Sequence, residues 1–318
     1  MAGARGAGVP HLAGASQVDP PSGLSYPLVL RIPGHPWWRS ALGVLIGLLL
    51  YILLGQVITQ VVVGIGFATS RPDATWTDYY ASALRFELPV GLLATNLAIT
   101  ALVPLSILLV AWLHGVRPRW LFSVQPGVRW RYLLISLFIA AIGLAAGLAL
   151  STAAEGSTVA EGGSLTLHPQ QGFWWFLPVI LITSPIQAVG EEVFFRGYLT
   201  QALGSMVANR WFGVVVSAAV FTAFHGSSNP QLIADRLAFG LLAAILVTLT
   251  GGLEAGIAAH IMNNVMAFTL AGLTTSISQV ATVTSITWPQ AGFDILGFLI
   301  VAALTWLLAR KMKLATRT

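Results

Sequence analysis

Three charged residues, Glu191, Glu192 and Arg196, lie within one apolar stretch of the sequence. A charge in lipid costs on the order of 2.5–3.5 kcal/mol on insertion scales, so such residues are usually paired and are functional candidates. In a helix, Glu192 and Arg196 share a face because they are four positions apart, whereas Glu191 projects about 100° away. We therefore predict a supporting Glu192–Arg196 ion pair and a Glu191 carboxylate that is free for chemistry. The alternative is a salt-bridge cluster that only holds helices together.

Two further polar groups occur later in the chain at helical spacing. Phe221 and His225 are four positions apart, and a loop-like Gly-Ser-Ser-Asn-Pro sequence follows His225. His260 and Asn264 are also four apart on one face, with Asn263 close to them. Polar groups in an apolar helix need partners, because unsatisfied ones are costly in hydrocarbon. Taken singly, His225 is equally readable as an interfacial or packing residue, and the His260 group as a polar helix–helix contact.

Together, a carboxylate, two imidazoles and an amide are suitable for amide hydrolysis. A glutamate in an apolar site suits a general base or acid, and histidine can share the proton transfer. Histidine and asparagine can also donate hydrogen bonds to a developing oxyanion. Helical rise places Glu191 about 20 Å and His225 about 25 Å from the cytoplasmic ends of their helices, but His260 only about 10 Å. A shared site therefore requires that this difference in depth be closed.

The composition identifies the elements that must position these residues. Of the 318 residues, 56% are hydrophobic and 8% are charged, against about 25% charged in a soluble domain. Apolar runs of span length predict an all-α, polytopic membrane helix bundle with about eight transmembrane helices. The predicted spans cover about 40–66, 89–112, 132–151, 172–203, 210–224, 231–250, 254–273 and 295–309.

These spans divide the chain into four regions. Residues 1–36 are rich in Gly, Ala, Pro and Ser and are predicted to form a disordered cytoplasmic tail. Residues 37–170 hold three N-terminal transmembrane helices, and 171–275 form a four-helix core with all the polar candidates. Residues 276–318 contain a Ser/Thr-rich loop, the final transmembrane helix and a basic cytoplasmic tail.

Charge and cysteine content narrow the function classes further. The net charge is +5, but no basic patch is interleaved with aromatic residues, so we expect no nucleic-acid partner and instead contacts with membrane lipids. With both termini cytoplasmic, the only basic residues outside the spans that lie on the opposite side are Arg71, Arg85 and Arg236, as the positive-inside rule requires. We predict a multi-pass protein of the cell membrane. The absence of cysteine excludes disulfides, thiolate metal sites and a cysteine nucleophile.

The ordered set Glu191-Glu192-x-x-x-Arg196, Phe221-x-x-x-His225 and His260-x-x-x-Asn264 resembles the CPBP family of CAAX prenyl proteases and Abi-like intramembrane proteases. The resemblance covers about residues 173–273 and makes 171–275 a CPBP-like catalytic core. It implies an intramembrane endopeptidase acting on a peptide or membrane-protein substrate. Glu191 and His225 would activate water, His260 and Asn264 would stabilise the oxyanion, and Glu192, Arg196 and Phe221 would support the site.

Other readings remain open at this stage. Members of the family are described both as metal-free and as metalloproteases; no cofactor is favoured here, because no His-Glu-x-x-His helix is present. If a divalent metal such as zinc is bound, Glu191, His225 and His260 could supply three ligands. A non-catalytic membrane scaffold or bacteriocin-immunity-type protein is the main alternative function. A proton-coupled transporter is a further one, although no inverted repeat is visible.

Overall fold

The fold, described from a computed structural model for residues 17–156 and 167–318, is all-helical, as predicted, with no strand in these ranges. The helices are α1 Trp37–Ser70, α2 Trp76–Leu84, α3 Pro89–Thr100, α4 Leu102–Leu108, α5 Trp130–Gly156, α6 Phe173–Glu191, α7 Thr200–Val207, α8 Arg210–Phe224, α9 Pro230–Thr250, α10 Glu254–Thr274, α11 Ile277–Thr282 and α12 Trp288–Lys311. Short 3₁₀ turns lie at Tyr26–Leu28 and Pro118–Leu121, and π-helical turns at Leu109–Leu113 and Glu192–Leu199.

Within the described ranges, seven helices are long and apolar enough to cross a membrane, which agrees with a polytopic bundle. They correspond to the predicted spans except the fifth, where α8 has only 15 residues. The last span starts earlier than predicted, at Trp288, because Thr287 and Gln290 form a capping box and Pro289 occupies the first turn. Eight predicted spans thus become seven long helices and one short helix.

The helix that carries the charged motif is interrupted by a π-helical segment. Phe173–Val207 is one membrane-length helix made of α6, the π-helical turn Glu192–Leu199 and α7. Every residue of the π-helical turn is buried. Such π-bulges are rare and are frequent at functional sites. The apolar pattern did not predict this interruption.

Residues 17–36, which we call the N-terminal strap, are packed against the bundle. The sequence instead predicted a disordered tail over residues 1–36. Residues 1–16 of that segment lie outside the described residues. Tyr26, Val29 and Leu30 are at most 1% exposed, and the Tyr26 hydroxyl donates to the Leu121 carbonyl oxygen. The strap therefore differs from the prediction because several of its apolar side chains are buried, despite a composition typical of disorder.

The turn between α9 and α10 lies inside the protein. Residues 251–260 are all buried. The Gly251 carbonyl accepts from the Val124 amide at 2.7 Å, and the Leu253 amide donates to the Phe122 carbonyl at 3.0 Å. Gly251 adopts a φ of +73°, a left-handed conformation that favours glycine. Helix α10 therefore begins beneath a covering layer of loops, not at the surface of the bundle.

A buried ion pair fixes the first turn of α10. Glu254, which is 1% exposed, accepts from the Arg129 side chain at 2.9 and 2.5 Å and from the Arg129 backbone amide at 2.9 Å. The Arg129 guanidinium also donates to the Thr250 carbonyl at 2.7 Å. The loop before α5 thus ties together the end of α9 and the start of α10.

Candidate active site

Glu192 lies at the centre of a buried polar network. Its Oε1 atom is 3.0 Å from Arg196 Nη1 and 2.8 Å from His260 Nδ1. Glu192 and Arg196 are both 0% exposed. The Arg196 guanidinium carbon lies 3.8 Å from the centroid of the Phe221 ring, an arrangement that stabilises a desolvated cation. Glu192 and Arg196 are paired as their spacing predicted, but the bond from Glu192 to His260 was not predicted.

Glu191 faces the other ring nitrogen of His260. Its Oε2 atom is 3.1 Å from His260 Nε2, and the two residues are 7% and 4% exposed. The imidazole therefore bridges the two adjacent glutamates. Because a neutral imidazole carries one N–H, both contacts are hydrogen bonds only if the ring is protonated or if Glu191 carries the proton. In either of these protonation states, one proton lies between Glu191 Oε2 and His260 Nε2.

The expected difference in depth between Glu191 and His260 is absent. The expectation assumed that α10 starts at the cytoplasmic surface, whereas Glu254 is buried beneath the loops that hold Arg129. The helical rise to His260 is therefore measured from a first turn of α10 that is already inside the protein. The recessed turn brings His260 to the level of Glu191.

His225 is held by the backbone of its own helix end. Its Nδ1 atom lies 2.9 Å from the Phe221 carbonyl oxygen, and its ring centroid lies 4.5 Å from that of Phe221. A carbonyl oxygen accepts hydrogen bonds, so Nδ1 is the protonated nitrogen in this contact. The Nε2 atom of a neutral His225 then keeps its lone pair and can accept a proton.

Asn264 belongs to a group of three amide side chains. Its Nδ2 atom donates to Gln187 Oε1 at 2.8 Å, and its Oδ1 atom accepts from Asn263 Nδ2 at 3.2 Å. Gln187 did not appear among the predicted site residues. It lies four positions before Glu191 in an apolar helix, so the same rule of shared faces would have found it.

The four residues predicted to be catalytic surround two adjoining cavities. One, of about 450 Å³, is lined by His225, His260 and Asn264. The other, of about 280 Å³, is lined by Glu191 and His225. His225 lines both cavities, so Glu191 and Asn264 lie on two neighbouring cavities that have this histidine in common.

Three acidic or basic side chains also line the larger cavity. Asp235 and Arg236 of α9 and Asp294 of α12 line it. The Ser/Thr-rich loop contributes Val280 and Val283 to the same lining. Val280 lies in α11, and Val283 follows its last residue. This loop therefore lies at the cavity.

The alternative of a divalent metal held by Glu191, His225 and His260 stays a prediction. Within the described ranges, no group of three or more His, Asp or Glu side chains is arranged to hold a metal ion. Both ring nitrogens of His260 already lie within hydrogen-bonding distance of glutamate oxygens. A three-ligand zinc centre from Glu191, His225 and His260 would require this network to rearrange.

The fold and the site define a polytopic membrane helix bundle with a Glu/His/Asn centre, in which Glu191, Glu192 and His260 are buried, Asn264 is half-buried and His225 is exposed. Residues 173–266 match the family model described as "Type II CAAX prenyl endopeptidase Rce1-like". The resemblance to the CPBP family of CAAX-type proteases is thus confirmed for this region.

One curated relative matches part of the chain. The uncharacterized protein YyaK of Bacillus subtilis (strain 168) is 34% identical over 99 residues, which cover 29% of this chain and 33% of that protein. The similarity therefore spans about a third of the length of this relative. No solved structure matches the chain.

Proposed function

We propose that the protein is an intramembrane endopeptidase that hydrolyses a peptide bond near the membrane with a water activated by Glu191 and His225. The observation that carries the proposal is the bridge from His260 to both glutamates beside a cavity that His225 and Asn264 also line. The family match in residues 173–266 supports the same class of reaction.

In this proposal, Glu191 is the primary base. Its Oε2 atom is oriented by His260 at 3.1 Å, so that the other oxygen is left to face water in the cavity. His225 Nε2, whose lone pair is free when Nδ1–H donates to the Phe221 carbonyl, is the second proton acceptor. The water oxygen bonds to the carbonyl carbon of the substrate while its proton moves to this pair.

Asn264 and His260 stabilise the oxyanion that forms on the carbonyl oxygen. Asn264 keeps one N–H beyond the one that it gives to Gln187. His260 contributes chiefly through the positive charge of its protonated ring, because both its nitrogens already pair with carboxylates. Collapse of the intermediate breaks the C–N bond, and the stored proton passes to the leaving amine.

The test is cleavage of a peptide library by the purified protein in proteoliposomes. We expect Glu191→Gln and His225→Ala to lower the rate by about 10²–10⁴-fold, the range typical of general acid–base groups. His114→Asn, which replaces a buried histidine that contacts Tyr198 and lines neither cavity, is the control and should cleave normally. Equal cleavage by the wild type and both site variants would overturn the proposal. A chelator should leave the rate unchanged if no metal takes part.

A non-catalytic scaffold is the second candidate, because the buried Arg196–Glu192–His260 network could serve folding alone. The two functions predict different outcomes for Glu191→Gln, which keeps the shape of the side chain but removes its charge. A scaffold would keep its cellular function in Glu191→Gln, whereas an enzyme would lose it while remaining folded.

We also propose that the protein lies in the cell membrane with both termini cytoplasmic, on the basis of the distribution of Arg and Lys. The natural absence of cysteine allows a direct test. In intact cells, a membrane-impermeant maleimide should label Asp73→Cys and spare Lys311→Cys. The reverse pattern would invert the proposed topology.

A further inference from the structure

We propose that Gln187 is a positioning residue: it fixes the Asn264 amide so that one N–H of that amide points into the cavity where the oxyanion forms. This inference rests on the proposed function and extends it to a residue outside the three sequence motifs. It depends on hydrogen bonds at both ends of one amide side chain.

Both ends of the Asn264 amide are tied. Gln187 Oε1 accepts from Asn264 Nδ2 at 2.8 Å, while Asn263 Nδ2 donates to Asn264 Oδ1 at 3.2 Å. An amide has one oxygen and an NH₂ group with two hydrogens, and in this arrangement the nitrogen of Asn264 donates to Gln187 while its oxygen accepts from Asn263. One hydrogen is held by Gln187, and the geometry of the planar NH₂ group then fixes the direction of the second.

The location of Gln187 suits this role. It is 5% exposed, lines the larger cavity, and lies one helical turn before Glu191. The base and the residue that orients the oxyanion donor therefore project from one face of α6. Their separation is set by a single rigid helix, whereas Asn264 reaches the site from α10. The hydrogen bond from Asn264 to Gln187 thus links α10 to α6 at the point where the substrate carbonyl would lie.

Kinetics provide the first test. Replacing Gln187 by leucine keeps the apolar packing but frees the Asn264 amide. We expect kcat to fall roughly tenfold to hundredfold with little change in KM, because the lost alignment matters mainly in the transition state. In an Asn264→Ala background, Gln187→Leu should have almost no further effect. Independent, multiplicative losses from the two changes would overturn the inference.

Gln201→Leu is the matched control. Gln201 is a second fully buried amide on the same membrane-length helix, and its Nε2 atom donates to the Trp120 carbonyl at 3.0 Å. Its removal tests the general cost of losing a buried amide, and it should not reproduce the selective fall in kcat. An equal kcat loss in both variants would make Gln187 a structural residue only.

A second measurement does not require proteolysis. In protein with isotope-labelled asparagine, the side-chain amide signals of Asn264 are assigned by their loss in Asn264→Ala. We expect these signals to shift in Gln187→Leu and to stay in place in Gln201→Leu. Unchanged signals in Gln187→Leu overturn the inference whether or not the protein cleaves peptides. Shifted signals with cleavage that does not depend on Glu191 instead overturn the proposed function alone.

Discussion

His260 Nε2 lies 3.1 Å from Glu191 Oε2, while the opposite nitrogen of the same ring lies 2.8 Å from Glu192 Oε1. Two neighbouring glutamates of one helix thus meet one imidazole of another. Their second partners differ, because Glu192 also pairs with Arg196, whereas Glu191 lines a cavity. Glu192 is enclosed by its ion pair, and Glu191 has one side that faces a cavity.

This difference predicts separate consequences for two similar substitutions. Glu191→Gln should abolish cleavage and leave the thermal midpoint in detergent nearly unchanged, since the amide keeps its shape at the cavity. Glu192→Gln should lower stability by about 3–5 kcal/mol, because it leaves the fully buried Arg196 without its counter-charge.

Thermal unfolding and cleavage of both variants, measured in the same detergent, check this prediction. Arg196→Met provides a control for the ion pair, since it should destabilise in the same sense as Glu192→Gln. Equal unfolding midpoints for the two glutamate variants would show that the glutamates are not divided into a supporting and a reacting carboxylate.

Much of the architecture could be predicted from the sequence because membrane spans have a strong local signal. The apolar runs give the long helices, and the four-residue spacing of Glu192 and Arg196 gives their contact. The order of the three motifs also indicates the family later matched in residues 173–266. These features depend on residues that are close in sequence.

The remaining features depend on tertiary contacts between distant segments. The depth of His260 follows from the recessed start of α10, which is set by Arg129, 125 positions before Glu254. The N-terminal strap is ordered because Tyr26 reaches the Leu121 carbonyl. Gln187 needed only the helical rule already applied to Glu192, but a lone amide in an apolar helix carries little weight without its partner Asn264.

Gly256 provides a steric test of the position of Glu192. A Cβ atom at Gly256 would lie 2.8 Å from Glu192 Oε2, closer than a carbon and an oxygen can pack. Alanine favours a helix over glycine by about 1 kcal/mol, so any loss in Gly256→Ala must come from displacement of the carboxylate. We expect a strong fall in cleavage. Gly55→Ala is the control, because its Cβ would meet no atom within 4 Å. Normal cleavage by Gly256→Ala would contradict the proposed contribution of Glu192.

Substitutions at Glu254 and Glu87 test whether burial determines how much an ion pair contributes to the free energy of unfolding. Glu254 pairs with Arg129 at 2.5 Å with side chains 2% and 10% exposed, whereas Glu87 pairs with Arg85 at 2.7 Å with side chains 42% and 49% exposed. We expect Glu254→Gln to cost about 3–5 kcal/mol and to lower cleavage, because α10 loses its anchor. Glu87→Gln should cost at most about 1 kcal/mol. Thermal unfolding of both variants measures the contrast, and equal midpoints would refute it.

The N-terminal strap should loosen in acid. The hydrogen bond from Trp120 lowers the pKa of Asp19, and Arg119 and Arg117 act in the same direction. A group whose folded pKa is depressed stabilises the fold above its unfolded pKa of 3.8, and this contribution is lost as the pH falls through the lower folded pKa. Amide hydrogen exchange of residues 17–36 should therefore be faster in Asp19→Asn than in the wild type at pH 7. The difference between the two proteins should disappear once the pH lies below the folded pKa of Asp19.

High salt should also reduce the difference in exchange rate, because Asp19 and its arginines lie at the surface. Equal exchange of the two proteins at pH 7 and low salt would show that Asp19 does not hold the strap.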